Sequence, residues 1–188
     1  MSTESIEDVV DVLTAQHAQI KDLFGKLRSG QGDKQALFTE LVRLLAVHES
    51  AEEEVVHPVA SRAHFGVEPM VKARLSEENK AKHDLAELYD LGVEHPDFDA
   101  KLATFADAVA EHAAHEEGEE FALLRKSFSV SKLEHMVGSV RAAEAIAPTR
   151  PHPHAGESPI ANMLTGPPLA LFDRVRDAVR DWHRSADR

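Results

Sequence analysis

The chain has 188 residues, a formal net charge of −12, 12 histidines and no cysteine. That length suffices for one domain with a sizeable core plus an appendage, and the lack of sulfur excludes disulfides, thiolate zinc sites and iron–sulfur clusters. The acidic balance argues against a nucleic-acid surface, which needs a basic patch.

Alanine, leucine and glutamate abound, and no alternating β pattern appears, so the chain is expected to be nearly all helix. No uninterrupted apolar run approaches a membrane span. Residues Met1 to Val10 carry Glu4, Glu7 and Asp8 rather than a basic, then apolar, leader. A cytoplasmic protein with no membrane contact is the expectation.

A first helix is predicted from about Ser5 to Leu27, where Ile6, Val9, Val10, Leu13, Ile20, Phe24 and Leu27 recur at helical spacing with His17 among them. Taken alone, such a histidine reads more readily as a hydrogen-bonded core residue than as a ligand. Ser29-Gly-Gln-Gly32 ends this helix and Asp33 is a natural N-cap for the second. On helix two, His48 and Glu52 are four apart and so share a face, preceded by Leu37, Leu41, Leu44 and Leu45 and followed by Val55 and Val56. A buried imidazole beside a buried carboxylate is costly unless something binds both. Glu49 lies at the edge of that face, either an extra ligand or a rim carboxylate in water. His57, about 180° from His48 at 100° per residue, is expected to be peripheral.

Helix three should run from about Pro69 to Leu91, closed by Gly92, with His83 at mid-helix. Helix four, capped by Asp97 and reaching about Arg125, carries a second pair, His112 and Glu116, in the stripe Leu102, Phe105, Val109 and Leu123. Composition predicts about one His-x-x-x-Glu pair by chance and five occur, so position must sort them. His64/Glu68 straddles Gly66 in a loop, His115/Glu119 shares a polar face, and His83/Glu87 has weaker apolar support.

The order His17 then His48/Glu52 recurs as His83 then His112/Glu116, an internal repeat that implies two helical hairpins. Short loops between antiparallel neighbours give an up-down-up-down four-helix bundle over residues 1–127. The repeat makes His17 and His83 candidate ligands beside His48, Glu49, Glu52, His112 and Glu116. Ser131-Lys-Leu-Glu134 reads as a capping box opening an additional helix within 128–147. A Pro-rich linker follows over 148–166. An amphipathic helix then spans 167–188, where Leu169, Phe172, Val175, Val179 and Trp182 form a packing strap or homodimer contact.

The ligand inventory is nitrogen and oxygen only, which suits iron, manganese or zinc. Two facing carboxylates can bridge two cations about 3.5–4 Å apart. These residues resemble the hemerythrin-like (HHE cation-binding) domains, which have a lone His on helices one and three and His-x-x-x-Glu on helices two and four. Glu52-Glu-Glu-Val-Val-His-Pro58 also resembles the family's Glu-Glu-x-x-(apolar)-(aromatic)-Pro ending. The tail from Ser158 is similar to extensions on actinobacterial members. Oxygen-carrying hemerythrins place His-x-x-x-His on helix three, where this chain has Asn79 before His83. The resemblance implies a hemerythrin-like bundle with additional C-terminal helices and two carboxylate-bridged iron ions. Its small ligand would be O2, NO or peroxide, bound or sensed. Catalase-like consumption of peroxide and iron storage or sensing are the alternatives.

Overall fold

The computed structural model describes residues 7–147, and these form helices joined by short turns, without strands. The Pro-rich linker and the amphipathic helix expected over 148–188 lie outside the described residues.

Helix α1 (Val9–Ser29) begins with a reciprocal cap: Asp8 accepts from the Asp11 N–H at 3.0 Å, and Asp11 accepts from the Asp8 N–H at 3.1 Å. It ends at Gly30, whose φ of 67° is the left-handed conformation glycine adopts without steric cost. Asp33 caps α2 (Lys34–Ala51) by accepting from the Ala36 N–H at 2.7 Å. The second rod continues through a π turn (Glu52–Val56) into α3 (His57–Ala60). Helix α4 (Glu68–Leu91) stops at Gly92, and the fourth rod runs α5 (Phe98–His115), a second π turn (Glu116–Glu120) and α6 (Phe121–Ser127). Helix α7 (Val130–Ile146) is capped by Ser129, whose side chain accepts from the Lys132 N–H, not by the Ser131 box read from the sequence.

The two π turns decide which residues face inward. In each, an N–H reaches back five residues: His57 to the Glu52 carbonyl, and Phe121 to the Glu116 carbonyl. Every residue beyond such a turn is rotated by about 100° from where a continuous α-helix would put it. The apolar stripe after Glu116 therefore runs through Leu124, fully buried, and not Leu123. Pro58, which has no N–H to give, stands just past the first turn, and Gly118 lies within the second.

Helix α1 packs on α2 and α5, α4 packs on α5, and α7 lies against α1, α2 and the first π turn. Two apolar clusters result. One contains Phe24, Phe38, Leu41, Leu85, Phe98 and Phe105; the other contains Leu13, Val56, Val71, Phe121, Leu124 and Met136. Along the rods a polar layer separates them. His17 stands between Leu13 and Ile20, His48 between Leu45 and Ala51, Glu78 between Val71 and Ala81, and His112 between Val109 and Phe121.

Candidate metal centre

Four rods contribute to this layer, and nearly all of its polar groups are buried: His17, His48, Glu49, Glu52, His57, Glu78, His112, Glu116 and Glu120. Three groups of ligand atoms, each within 4.8 Å, form among the described residues: one is His57, Glu116 and Glu120, and the other two are His17, His48, Glu52 and Glu116, and Glu52, Glu78, His112 and Glu116. The latter two share Glu52 and Glu116. Glu116 Oε2 is 3.2 Å from His17 Nε2 while its Oε1 is 3.2 Å from His112 Nε2, so this carboxylate turns one oxygen to each side. Glu52 Oε2 lies 3.3 Å from His48 Nε2.

The imidazoles of His17, His48 and His112 are all oriented in the same way. His17 Nδ1 is 2.8 Å from Glu117 Oε1, His48 Nδ1 is 2.7 Å from Gln16 Oε1, and His112 Nδ1 is 2.9 Å from Glu77 Oε2. Each acceptor requires Nδ1 to carry the hydrogen, which leaves a lone pair on Nε2 facing the carboxylates. Outer partners fix metal-binding histidines in this manner. Consistent with that role, His17 Nε2, His112 Nε2, both oxygens of Glu52 and of Glu116, and Glu78 Oε2 make no hydrogen bond among the described residues. Buried polar atoms of this number are rarely left without partners. The residues therefore fit bound metal cations.

Burial works against charge on His112, yet Glu116 and Glu77 outweigh it and raise the imidazole to about 9, so a cation bound at its Nε2 has a proton to displace. Burial, with Glu116 and Glu78 close by, pushes the Glu52 carboxyl well above its ordinary range. Burial opposes charge on Glu116 too, but the His112 and His17 imidazoles on either side of it hold it far below that range. Burial and the neighbouring His17 push His48 down to about 3, so it stays neutral and able to ligate.

His57 behaves differently. Its Nε2 contacts Glu78 Oε1 and its Nδ1 lies 2.9 Å from Glu120 Oε1, so both nitrogens donate. Burial works against its charge, yet Glu78 and Glu120 outweigh it and raise the imidazole to about 12. Burial raises Glu78 as well, so a proton is retained between the two at neutral pH. His57 is an internal counter-cation that holds Glu78 beside the site. The peripheral position expected for it assumed an unbroken α-helix, and the π turn rotates it into the core.

His83 also departs from expectation. It is exposed on α4, as is Asn79, and neither joins any group of ligand atoms. The inward residue of that helix is Glu78, seven residues from Val71 and seven from Leu85, on the buried stripe. Glu49 is buried in this layer without entering any of the groups. Burial and the charge of Glu78 push its carboxyl up to about 8 against the opposing pull of Lys82. His83→Ala is accordingly expected to leave metal content unchanged by elemental analysis, whereas Glu78→Ala lowers it.

The sequence pattern of the hemerythrin HHE cation-binding domain matches residues 8–124, which contain every residue of this layer. The chain belongs to the hemerythrin HHE cation-binding family. Among solved structures, an HHE cation-binding domain-containing protein from Mycobacterium kansasii is similar, with a TM-score of 0.64 and 20% identity. That likeness covers 74% of this chain and 88% of the other, and it shows the fold. A DNA nickase of Nostoc sp. (strain PCC 7120) is 26% identical over 140 residues. The match takes in 73% of this HHE chain but only 39% of the nickase's length. No helix among the described residues is long and apolar enough to cross a membrane.

Proposed function

We propose that this HHE protein holds two iron ions, bridged by Glu52 and Glu116, and binds or senses O2, NO or peroxide there, with peroxide the favoured ligand. The observation that supports this most is the split allegiance of Glu116, one oxygen toward His17 and the other toward His112. His17 and His48 would serve one ion, and His112 and Glu78 the other. An iron pair supplies two-electron exchange with a small oxidant.

The donor set is richer in carboxylate than the sequence suggested, because Glu78 stands where His83 was expected. Anionic oxygen donors stabilise the higher charge of ferric iron. Such a set favours reaction with peroxide over the fully reversible binding that oxygen carriage requires. Nicking of DNA is not carried over from the Nostoc relative, since a formal charge of −12 repels the phosphate backbone.

Glu49 is the residue suited to move a proton. Burial pushes its carboxyl above the ordinary range, it lies beside the ligand groups without joining them, and a placed general acid or base is worth roughly 10²–10⁴ in rate. Glu49→Gln is expected to lower peroxide consumption at least about 10-fold while iron content stays unchanged. Oxygen evolution from peroxide, measured beside elemental analysis, checks this. A variant that turns over peroxide at the wild-type rate removes Glu49 from the chemistry. A reduced protein that gives an oxy spectrum reversible under argon over many cycles would replace the peroxide reading with a carrier.

A further inference from the structure

The outer partners of the three inward histidines are not alike. His17 and His112 donate to carboxylates, Glu117 and Glu77, whereas His48 donates to the neutral amide of Gln16. An amide can present either its oxygen or its NH2 group. Something must therefore decide which end of Gln16 meets His48, because the NH2 end would call for the other imidazole tautomer. The deciding group is on α7. Gln16 Nε2 donates to Glu144 Oε1 at 2.5 Å. A carboxylate only accepts, so Glu144 draws the NH2 end to itself and leaves the oxygen for His48.

We propose that Glu144 is a positioning residue of the metal centre, acting through Gln16 to hold His48 in the tautomer whose Nε2 can bind a cation. The inference rests on the reading that His17, His48, Glu52 and Glu116 hold one of two ions. It makes α7 part of the site, although that helix lies beyond residues 8–124, where the family pattern ends. Packing supports the arrangement, since Met136, Val137, Val140 and Ala143 bury the inner face of α7, which lies against α1, α2 and the first π turn. Glu144 is thereby set over Gln16 from a fixed frame.

A pair of substitutions separates this role from simple packing. Glu144→Gln keeps the size and the hydrogen bond but offers both an oxygen and an NH2 group, so Gln16 is free to turn over. Glu144→Asp shortens the side chain but still only accepts. The full-length chain is loaded with ferrous iron under anaerobic conditions, and the dissociation constant of each ion is read by competition with a chromophoric chelator. E144Q is expected to weaken one of the two ions about 10-fold or more, within the range that loss of an outer-shell partner causes, while E144D stays closer to wild type. Ser139→Ala, an exposed change on the same helix, should match wild type. The reverse order, with E144Q like wild type and E144D impaired, overturns the proposal in favour of packing. Equal affinities in all the variants overturn it as well. If the wild-type chain itself binds no iron, the di-iron reading fails and this inference fails with it.

Discussion

Glu116→Ala is expected to abolish binding of both ions at once, taking iron content from about two per chain toward none. The two oxygens of this carboxylate face His17 Nε2 and His112 Nε2 at 3.2 Å each, so its removal deprives each group of donors of one of its two shared members. The loss of affinity should exceed the roughly 10–100-fold that follows from losing an outer-shell partner. Binding free energy at such a site is also folding free energy. With free metal near a thousandfold above its dissociation constant, bound metal contributes about 4 kcal/mol of stability. That corresponds to on the order of 10 °C in Tm for a chain of this length. The wild-type protein should therefore lose that much when a chelator strips it, and Glu116→Ala should show almost no difference between the two conditions. His83→Ala, exposed on α4, should behave as wild type. Calorimetry with and without chelator makes the comparison.

The second large effect belongs to His57. His57→Ala leaves Glu78 and Glu120 buried without their counter-cation, and stranding one side of a buried ion pair costs about 3–5 kcal/mol. The effect has a pH signature. The folded imidazole is raised to about 12 from an ordinary 6.5, so between those values the folded chain retains a proton that the unfolded chain has released. The stability this provides is complete below pH 6.5 and declines as pH rises through that window. Urea unfolding at several pH values should show wild type losing stability above pH 6.5, and His57→Ala should be weaker at pH 6 and flatter above it. A cost below about 1 kcal/mol at pH 6 would mean that His57 does not clamp the two carboxylates.

Five of the inward residues were legible because they obey ordinary helical spacing. His17, His48 and His112 interrupt apolar stripes, and Glu52 and Glu116 follow their histidines by one α turn, just where each π turn begins. What lies past those turns was not legible. A π turn has no signature comparable to a cap or a proline, and one inserted residue carries His57 from the rim to the core and exchanges Leu123 for Leu124. Glu78 was hidden for another reason. It sits in the polar string Ser76-Glu-Glu-Asn-Lys80, and the repeat of histidines points to His83 instead. The signal that could have found it is the heptad spacing Val71, Glu78, Leu85, which places a carboxylate on a buried stripe. The outer partners Gln16, Glu77, Glu117 and Glu144 come from four different elements (α1, α4, the second π turn and α7), a convergence that only packing brings about.

The measurement that bears most directly on the central claim is iron stoichiometry. The full-length chain is loaded anaerobically with ferrous iron, freed of excess metal and assayed by elemental analysis beside Glu116→Ala. Two cations sharing Glu52 and Glu116 predict about two irons per wild-type chain and almost none in the variant. A single zinc per chain, iron that survives the loss of Glu116, or no bound metal in the wild type would contradict it.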